Sequence, residues 1–514
     1  MIDHLVLPDL TEDELSRLAQ DLVFMLAPGD ALALSGELGA GKTTFARAFI
    51  RAAADDDGIE VPSPTFTLRQ SYQSPRFLIS HFDLYRLESP DELEELGLES
   101  ALDVGVALIE WPERAVGRMP AGHWNLRLDE ADDDQRRTAT LTVGPTITDR
   151  LKRYAEIRAF LASAGWSGSD VRLSYLQGDA SPRRYARIDG GEARKAILMD
   201  APASGDGPPI RDGKSYSRIA LLAEDVRAFV AVADALRARG FSAPEIYAAD
   251  FEHGLLLIED FGDDVFGAEA RRGGDQAGYW ARGVDVLVGL RAAPPPEEMA
   301  LPNAMSYFLP RLDAGALEIE TALLLDWYWP AAIGAPAPPA ARDDFETAWR
   351  QIFDAVLTEP LAWMLRDYHS PNLLALTGRD PPCDVGLIDF QDAVRGPAAY
   401  DLASLLQDAR VDVAADLEAT LLARYIEKTR SAEPDFDEAR FAFSYAALGA
   451  QRNTKILGIF TRLAVRDGKR QYLAHMPRIW GYLERDLAHP RLAPLATWYA
   501  THLPTSVRNR ALGI

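Results

Sequence analysis

Two groups of residues in this 514-residue chain have the types and spacing to handle phosphate. The first is Gly36-Glu37-Leu38-Gly39-Ala40-Gly41-Lys42-Thr43-Thr44, which fits G-x-x-x-x-G-K-[ST]. Glycines let successive backbone N–H groups converge on phosphate oxygens, and a helix N-terminus directly behind them adds a favourable dipole. In that arrangement Lys42 reaches the β- and γ-phosphates and the Thr43 hydroxyl ligates Mg²⁺. Glu110 closes the apolar run Val106-Ala107-Leu108-Ile109, where an acid can hold the metal or its waters. Asp83, in His81-Phe82-Asp83-Leu84-Tyr85-Arg86, is a second candidate for that work. ATP and Mg²⁺ are therefore the expected ligands, with Lys42 and Glu110 expected in catalysis.

The second group is Arg366-Asp367-Tyr368-His369-Ser370-Pro371-Asn372, followed after a short loop by the apolar run Val385-Gly386-Leu387-Ile388-Asp389-Phe390. Transfer of phosphate to a hydroxyl needs one Asp that orients the hydroxyl and accepts its proton. It also needs an Asn and a second Asp to hold Mg²⁺ against the phosphates. Asp367, Asn372 and Asp389 have the types and spacing for these roles. Upstream, Gly178-Asp179-Ala180-Ser181 lies between two expected strands, where a nucleotide-covering turn belongs, and the run 255–262 is the expected hinge at the adenine. Gly178, Ser181 and Glu259 are accordingly candidate nucleotide contacts. One feature departs from the pattern: the strand 196–200 carries Met199 where a kinase-like strand carries Lys. Lys195 and Arg184 are possible substitutes, or the phosphate contacts are arranged differently.

The elements that must position these residues are readable in outline. Thr11-Glu12-Asp13-Glu14 is a capping box opening a helix through Leu15, Leu18 and Leu22. The run 31–34 reads as a strand entering the glycine-rich turn, and 43–54 as the helix leaving it. Further strands are expected over 77–82, 106–109, 125–128 and 138–143, an α/β pattern. Gly144-Pro145 ends it, and a new helix begins at Thr148, so a boundary is expected near 147. Short strands over 172–176, 196–199 and 255–258 then flank one long helix, 217–240. From 263 onward helices dominate, interrupted by an Ala/Pro-rich loop over 330–341. The expected division is 1–147, 148–262 and 263–514, the last mainly helical.

Composition bounds the partners. Fifty-four Lys and Arg against 78 Asp and Glu leave a formal charge of −24, which opposes tight nucleic-acid binding by the chain alone. The single Cys383 can form no internal disulfide, the N-terminus has acids where a signal peptide carries Lys or Arg, and no apolar run reaches membrane-spanning length. A cytoplasmic protein without membrane contact is expected.

Residues 5–145 resemble the bacterial ATPase subunit of the tRNA threonylcarbamoyladenosine machinery. The match is carried by 36–44, Ser63-Pro64-Thr65-Phe66-Thr67, 81–86 and Ile109-Glu110-Trp111-Pro112-Glu113-Arg114. The resemblance implies that Thr43, Glu110 and Asp83 serve Mg²⁺, that Thr65 sits in a switch-like loop, and that Trp111 lies beside the nucleotide. It also implies partner subunits that hold the tRNA and modify adenosine 37, in keeping with the acidic charge. Residues 150–514 resemble the aminoglycoside-phosphotransferase family, and most of all its branch acting on the anomeric hydroxyl of N-acetylmuramate and N-acetylglucosamine. The motifs are 178–181, Ile197-Leu198-Met199-Asp200-Ala201-Pro202, 366–370, Asp389-Phe390-Gln391-Asp392-Ala393 and 451–458. That implies an amino-sugar substrate and cell-wall sugar recycling, with Arg452 and Lys455 as possible contacts to the lactyl carboxylate. Asp401 reads as structural, capping a helix over 400–409. The implied fold is an α/β P-loop NTPase domain followed by an α+β protein-kinase-like, two-lobed domain. An aminoglycoside or other small-molecule hydroxyl kinase, carrying the first domain as a regulatory or docking module, is the alternative.

Overall fold

A computed structural model describes all residues except 1–3, 134, 167–170, 177–182, 191–194, 204, 206, 509, 511 and 513–514. The chain divides into two compact units: 1–202 with 247–260, and 203–246 with 261–514.

The first unit holds two sheets. Strands β1 (His4–Leu10), β2 (Ala31–Ser35), β3 (Arg69–Tyr72), β4 (Leu78–Asp83), β5 (Gly105–Glu110), β6 (Trp124–Glu130) and β7 (Arg137–Val143) assemble in the order β1-β7-β6-β2-β5-β4-β3. The central β6, β2, β5 and β4 run parallel, and the outer pairs are antiparallel. Strand β5 is buried at every position and β2 at four of five, the continuous apolar run a sheet covered on both faces requires. Helix α1 (Glu12–Met25) starts as expected: the Thr11 hydroxyl accepts the Glu14 N–H, and the Glu14 carboxylate accepts the Thr11 N–H at 2.9 Å. Helix α2 (Lys42–Ala54) begins directly behind the glycine-rich turn.

The second sheet is built from β8 (Arg172–Leu176), β9 (Arg184–Asp189), β10 (Ala196–Asp200), β11 (Ile246–Asp250) and β12 (Leu255–Glu259), in the order β11-β12-β10-β9-β8. The expected boundary at 147 falls just before helix α3 (Thr148–Ser163), inside this unit. Leu18, Leu22 and Phe24 of α1, Leu151, Ile157 and Phe160 of α3, and Leu173, Ile188 and Leu198 of the second sheet join one buried core. The last carbonyls of α1 are met by three arginines from elsewhere: Arg76 on Val23 and Phe24, Arg150 on Met25, and Arg184 on Phe24. Cations there satisfy carbonyls that the helix leaves open and complement its dipole.

The second unit is mainly helical, with three small antiparallel pairs: β13 (Glu298–Leu301) with β14 (Met305–Phe308), β15 (Ala362–Met364) with β18 (Val394–Gly396), and β16 (Leu373–Ala375) with β17 (Val385–Leu387). Its helices include α4 (Arg227–Arg237), α5 (Gln276–Ala292), α6 (Ala314–Leu323), α7 (Ala399–Leu406) and the 30-residue α8 (Glu438–Asp467). Two expectations are corrected here. The long helix over 217–240 is broken: a short turn, Tyr216–Ile219, precedes α4, and Leu221 between them takes a left-handed φ of 56°. The break leaves the Ala220 and Leu221 carbonyls to a distant arginine, Arg366. The Ala/Pro-rich loop expected over 330–341 is confined to 334–338, because Pro330 and Pro339 sit in the first turns of helices Trp329–Ile333 and Pro339–Val356, where a missing N–H costs nothing. Among the described residues no helix is long and apolar enough to cross a membrane.

Candidate functional sites

In the first unit the turn after β2 is forced by its glycines. A Cβ on Gly36 would lie 2.3 Å from the Leu128 carbonyl oxygen, and Gly39 and Gly41 take φ of 86° and 101°. Glu37 and Ala40 complete this turn, and Thr44 follows in the first turn of α2. Lys42 donates to the Gly36 and Glu37 carbonyls at 2.8 Å each and lies 3.6 Å from the centroid of the Trp111 ring. Burial lowers its pKa below the ordinary lysine value, against the pull of Glu110 and other acids. Parallel pairing sets Asp83 and Glu110 side by side at the ends of β4 and β5. Glu110 accepts from the Thr43 hydroxyl at 2.9 Å through one oxygen, and its other oxygen lies 2.9 Å from His81 Nε2. Asp83 accepts from Ser63 at 2.6 Å, from Thr65 at 2.8 Å and from the Tyr85 N–H at 3.0 Å. Thr43, Glu110, Asp83, Lys42 and Trp111 are thus brought together around one loop. The oxygen-only set of Thr43, Glu110 and Asp83 suits a hard cation such as Mg²⁺. The roles of His81 and Ser63 as orienting partners are additional to those expected; only their neighbours' motifs hinted at them.

In the second unit the loop carrying Asp367 is anchored through its backbone. The Asp367 carbonyl accepts from the His369 N–H at 3.0 Å, from His369 Nδ1 at 2.8 Å and from the Asn372 side chain at 3.0 Å. Arg410 donates to His369 Nε2 at 2.7 Å, so the ring is neutral with its proton on Nδ1. Burial and the Arg410 charge both lower the His369 pKa. Asn372 also donates to Asp389 at 3.3 Å, and Gln391 holds the other Asp389 oxygen at 2.9 Å. Phe390 stacks on Phe229 with ring centroids 4.8 Å apart. Asp367, Asn372 and Asp389 are each half-buried on a buried floor, and the carboxylate–amide–carboxylate set again offers oxygens suited to Mg²⁺.

Asp401 is corrected. It does not cap α7: it lies in the first turn, fully buried, and its oxygens accept the Leu365 N–H at 2.6 Å and the Arg366 N–H at 2.9 Å. Burial pushes its pKa up to about 7, against those two hydrogen bonds. Arg366 itself takes a left-handed φ of 69°, a conformation worth roughly 1–3 kcal/mol of strain in a non-glycine residue and held here by its surroundings. Its guanidinium is buried on Glu320 and on the Ala220 carbonyl at 2.7 Å. Lys455 and Arg452, read as contacts for a substrate carboxylate, are committed elsewhere: Lys455 to Glu320 at 2.7 Å, Arg452 to the Gln407 carbonyl at 3.3 Å.

In the second sheet Met199 is buried on β10 and pairs with Tyr185 and Leu256. Arg184 pairs with Asp200, one position on, and therefore projects from the opposite face. It is ion-paired to Asp200 beside Arg153, which rules it out as a neighbour of Met199. Lys195 is exposed before the strand. Arg187, across from Ile197, shares the Met199 face and is held by Asp260 at 2.6 Å. Glu259 ends β12 opposite Ala196. Gly178 and Ser181 lie outside the described residues.

A parallel sheet with a phosphate loop, and a loop uniting Asp367, Asn372 and Asp389, define a P-loop NTPase domain joined to a protein-kinase-like phosphotransferase. The chain belongs to the phosphotransferase enzyme family (APH), matched over residues 172–442, and its N-terminal part to the threonylcarbamoyl adenosine biosynthesis protein TsaE family, matched over 10–138. It is 37% identical over 366 residues to an N-acetylmuramate/N-acetylglucosamine kinase of Caulobacter vibrioides, covering 70% of this chain and 98% of that protein. It is 41% identical over 126 residues to the tRNA threonylcarbamoyladenosine biosynthesis protein TsaE of Rickettsia bellii, covering 24% of this chain and 87% of that protein. A solved aminoglycoside 2'-phosphotransferase-IIIa in complex with GDP is 12% identical, and the match covers 65% of this chain and 98% of that one at a TM-score of 0.40.

One consequence is measurable in acid. Although burial alone would raise the Glu320 pKa, Lys455 and Arg366 pull it down to about 2 from an ordinary 4.5. A carboxylate with a lowered folded pKa contributes fully above its unfolded value and loses that contribution as pH falls through the folded one. Stability should therefore fall as the pH drops below about 4.5 toward 2. Urea titrations across that window should show Glu320→Gln with a flatter pH dependence than wild type; parallel curves would refute the assignment.

Proposed function

We propose that this chain is a bifunctional ATP-dependent enzyme of the cytoplasm. Its N-terminal domain supports threonylcarbamoyl transfer to tRNA with partner subunits. Its C-terminal part phosphorylates the anomeric hydroxyl of N-acetylmuramate or N-acetylglucosamine, and the functional division follows 1–147, 148–262 and 263–514. The observation that carries the reading is that each part keeps a complete phosphate and metal set: Lys42, Thr43 and Glu110 in one, Asp367, Asn372 and Asp389 in the other.

In the first site the backbone of Gly36, Glu37, Gly39, Ala40 and Gly41 cradles phosphates, Lys42 and Thr44 add contacts, and Trp111 flanks the nucleotide. Thr43, Glu110 and Asp83 would hold Mg²⁺. In the second, Asp367 orients the sugar hydroxyl and takes its proton while the new oxygen–phosphorus bond forms and the bond from the γ-phosphorus to ADP breaks. Asn372 and Asp389 would hold Mg²⁺, which supplies charge neutralisation on the phosphate oxygens. Gly178, Ser181 and Glu259 remain our candidate nucleotide contacts.

The test is a panel of amino sugars and aminoglycosides offered to the purified chain with ATP. N-acetylmuramate or N-acetylglucosamine should be the preferred acceptor, with a product whose phosphate is lost in mild acid, as for an anomeric phosphate. Preference for an aminoglycoside, or phosphate on a non-anomeric hydroxyl, would reject the substrate reading.

A further inference from the structure

Glu320 sits on α6, in a row of buried apolar neighbours that includes Leu317, Ile319 and Leu323. Nothing in the spacing of that helix marks it as functional. A charge on such a face is costly unless it is paired and hydrogen-bonded. Here it receives three donors. Arg366, the residue directly before Asp367, forms a buried ion pair with one Glu320 oxygen. Lys455 reaches the same oxygen at 2.7 Å, and Gln451, one helical turn before Lys455 on α8, reaches the other at 2.9 Å. Lys455 also lies 3.5 Å from the Tyr400 hydroxyl, on the helix whose Asp401 holds the Leu365 and Arg366 N–H groups. Arg366 is thereby fixed at both ends: its backbone by Asp401, its guanidinium by Glu320 and the Ala220 and Leu221 carbonyls.

We propose that Glu320 is a positioning residue for phosphoryl transfer, acting on Asp367 through Arg366 and offsetting the Lys455 charge. This inference rests on the kinase reading of the second unit. Arg366 has a left-handed backbone, so the direction in which Asp367 leaves it depends on holding that conformation. Without the Glu320 carboxylate, two buried cations lose their shared counter-ion and repel each other. The arginine end of the loop then relaxes, and the hydroxyl-orienting carboxylate moves with it. Asp389 is held by Asn372 and Gln391, neither of which bonds to Arg366 or Glu320, so nucleotide handling should be spared.

The experiment uses the full chain and phosphate transfer to the acceptor. Glu320→Gln should lower kcat about 10²-fold, the scale of a small misplacement, with the KM for MgATP within about three-fold of wild type. Removing the second stranded cation as well, in Glu320→Gln with Lys455→Met, should recover about ten-fold of that loss, as coupled neighbours do. Should Glu320→Gln fail to fold, Glu320→Asp decides: it keeps the charge, retracts it by one methylene, and should lower kcat about ten-fold at unchanged MgATP KM. A kcat within about three-fold of wild type for the variant that folds, or a double variant no faster than Glu320→Gln, overturns the inference. Wild-type turnover of an acceptor other than the amino sugars would reject the substrate reading while leaving this comparison intact.

Discussion

Asp367→Asn should cut kcat for sugar phosphorylation by about 10²–10⁴, the range expected on losing a positioned general base, and leave the KM for MgATP nearly unchanged. The expectation is specific because the loop does not rest on the Asp367 carboxylate. Its anchors are the Asp367 carbonyl, which His369 and Asn372 grip, and the Leu365 and Arg366 N–H groups, which Asp401 grips. Asparagine preserves all of them and is nearly isosteric. What disappears is the ability to accept the hydroxyl proton as charge develops on the attacking oxygen. Asp389→Asn should fail differently. Its two oxygens are oriented by Asn372 and Gln391, a pairing suited to a metal ligand, so MgATP binding should weaken along with kcat. Steady-state kinetics with ATP and sugar varied independently separates the two. Near wild-type kcat for Asp367→Asn would remove the mechanism, and identical KM effects in both variants would remove the division of roles.

Features that were legible in the sequence are those whose cause is local. The phosphate loop could be read because its backbone demands glycine: at Gly36 a side chain has no room beside Leu128. The Thr11–Glu14 box closes within one helical turn. The strands leading to Glu110 and Asp389 announce themselves as apolar runs ending in an acid. Features that escaped have partners far along the chain. Asp401 looks like a cap because an acid in a first turn usually complements the helix dipole, yet its partners lie 35 and 36 residues earlier. Glu320 pairs with residues 46 and 135 positions away, and no helical periodicity marks an acid on a buried face. Arg184 looked available for phosphate because spacing does not reveal which face of β9 is taken up by α1 and Asp200. The helix over 217–240 broke for the same reason: carbonyls required by Arg366 outweighed local propensity.

Lys42→Ala should reduce ATP turnover by the N-terminal site more than 10²-fold, roughly the loss expected when a preorganised charge is removed from a phosphate site. Sugar phosphorylation should stay within a few-fold of wild type. That independence does not follow from domain count, because Lys42 and the second sheet belong to one compact unit and its buried core runs from α1 into β8, β9 and β10. It follows from where Lys42 makes its contacts. Its ammonium touches the Gly36 and Glu37 carbonyls and the Trp111 ring, and the acids that act on its charge are Glu110, Glu113, Asp83 and Glu37. All lie between residues 36 and 113, and none belongs to α3 or to strands β8–β12. Alanine therefore removes a phosphate ligand without touching the packing shared by the two sheets. Both activities should be measured on the same preparation, phosphate release without sugar for the first and phosphate transfer to N-acetylmuramate for the second. Loss of both in equal proportion would mean that the two sites are not independent.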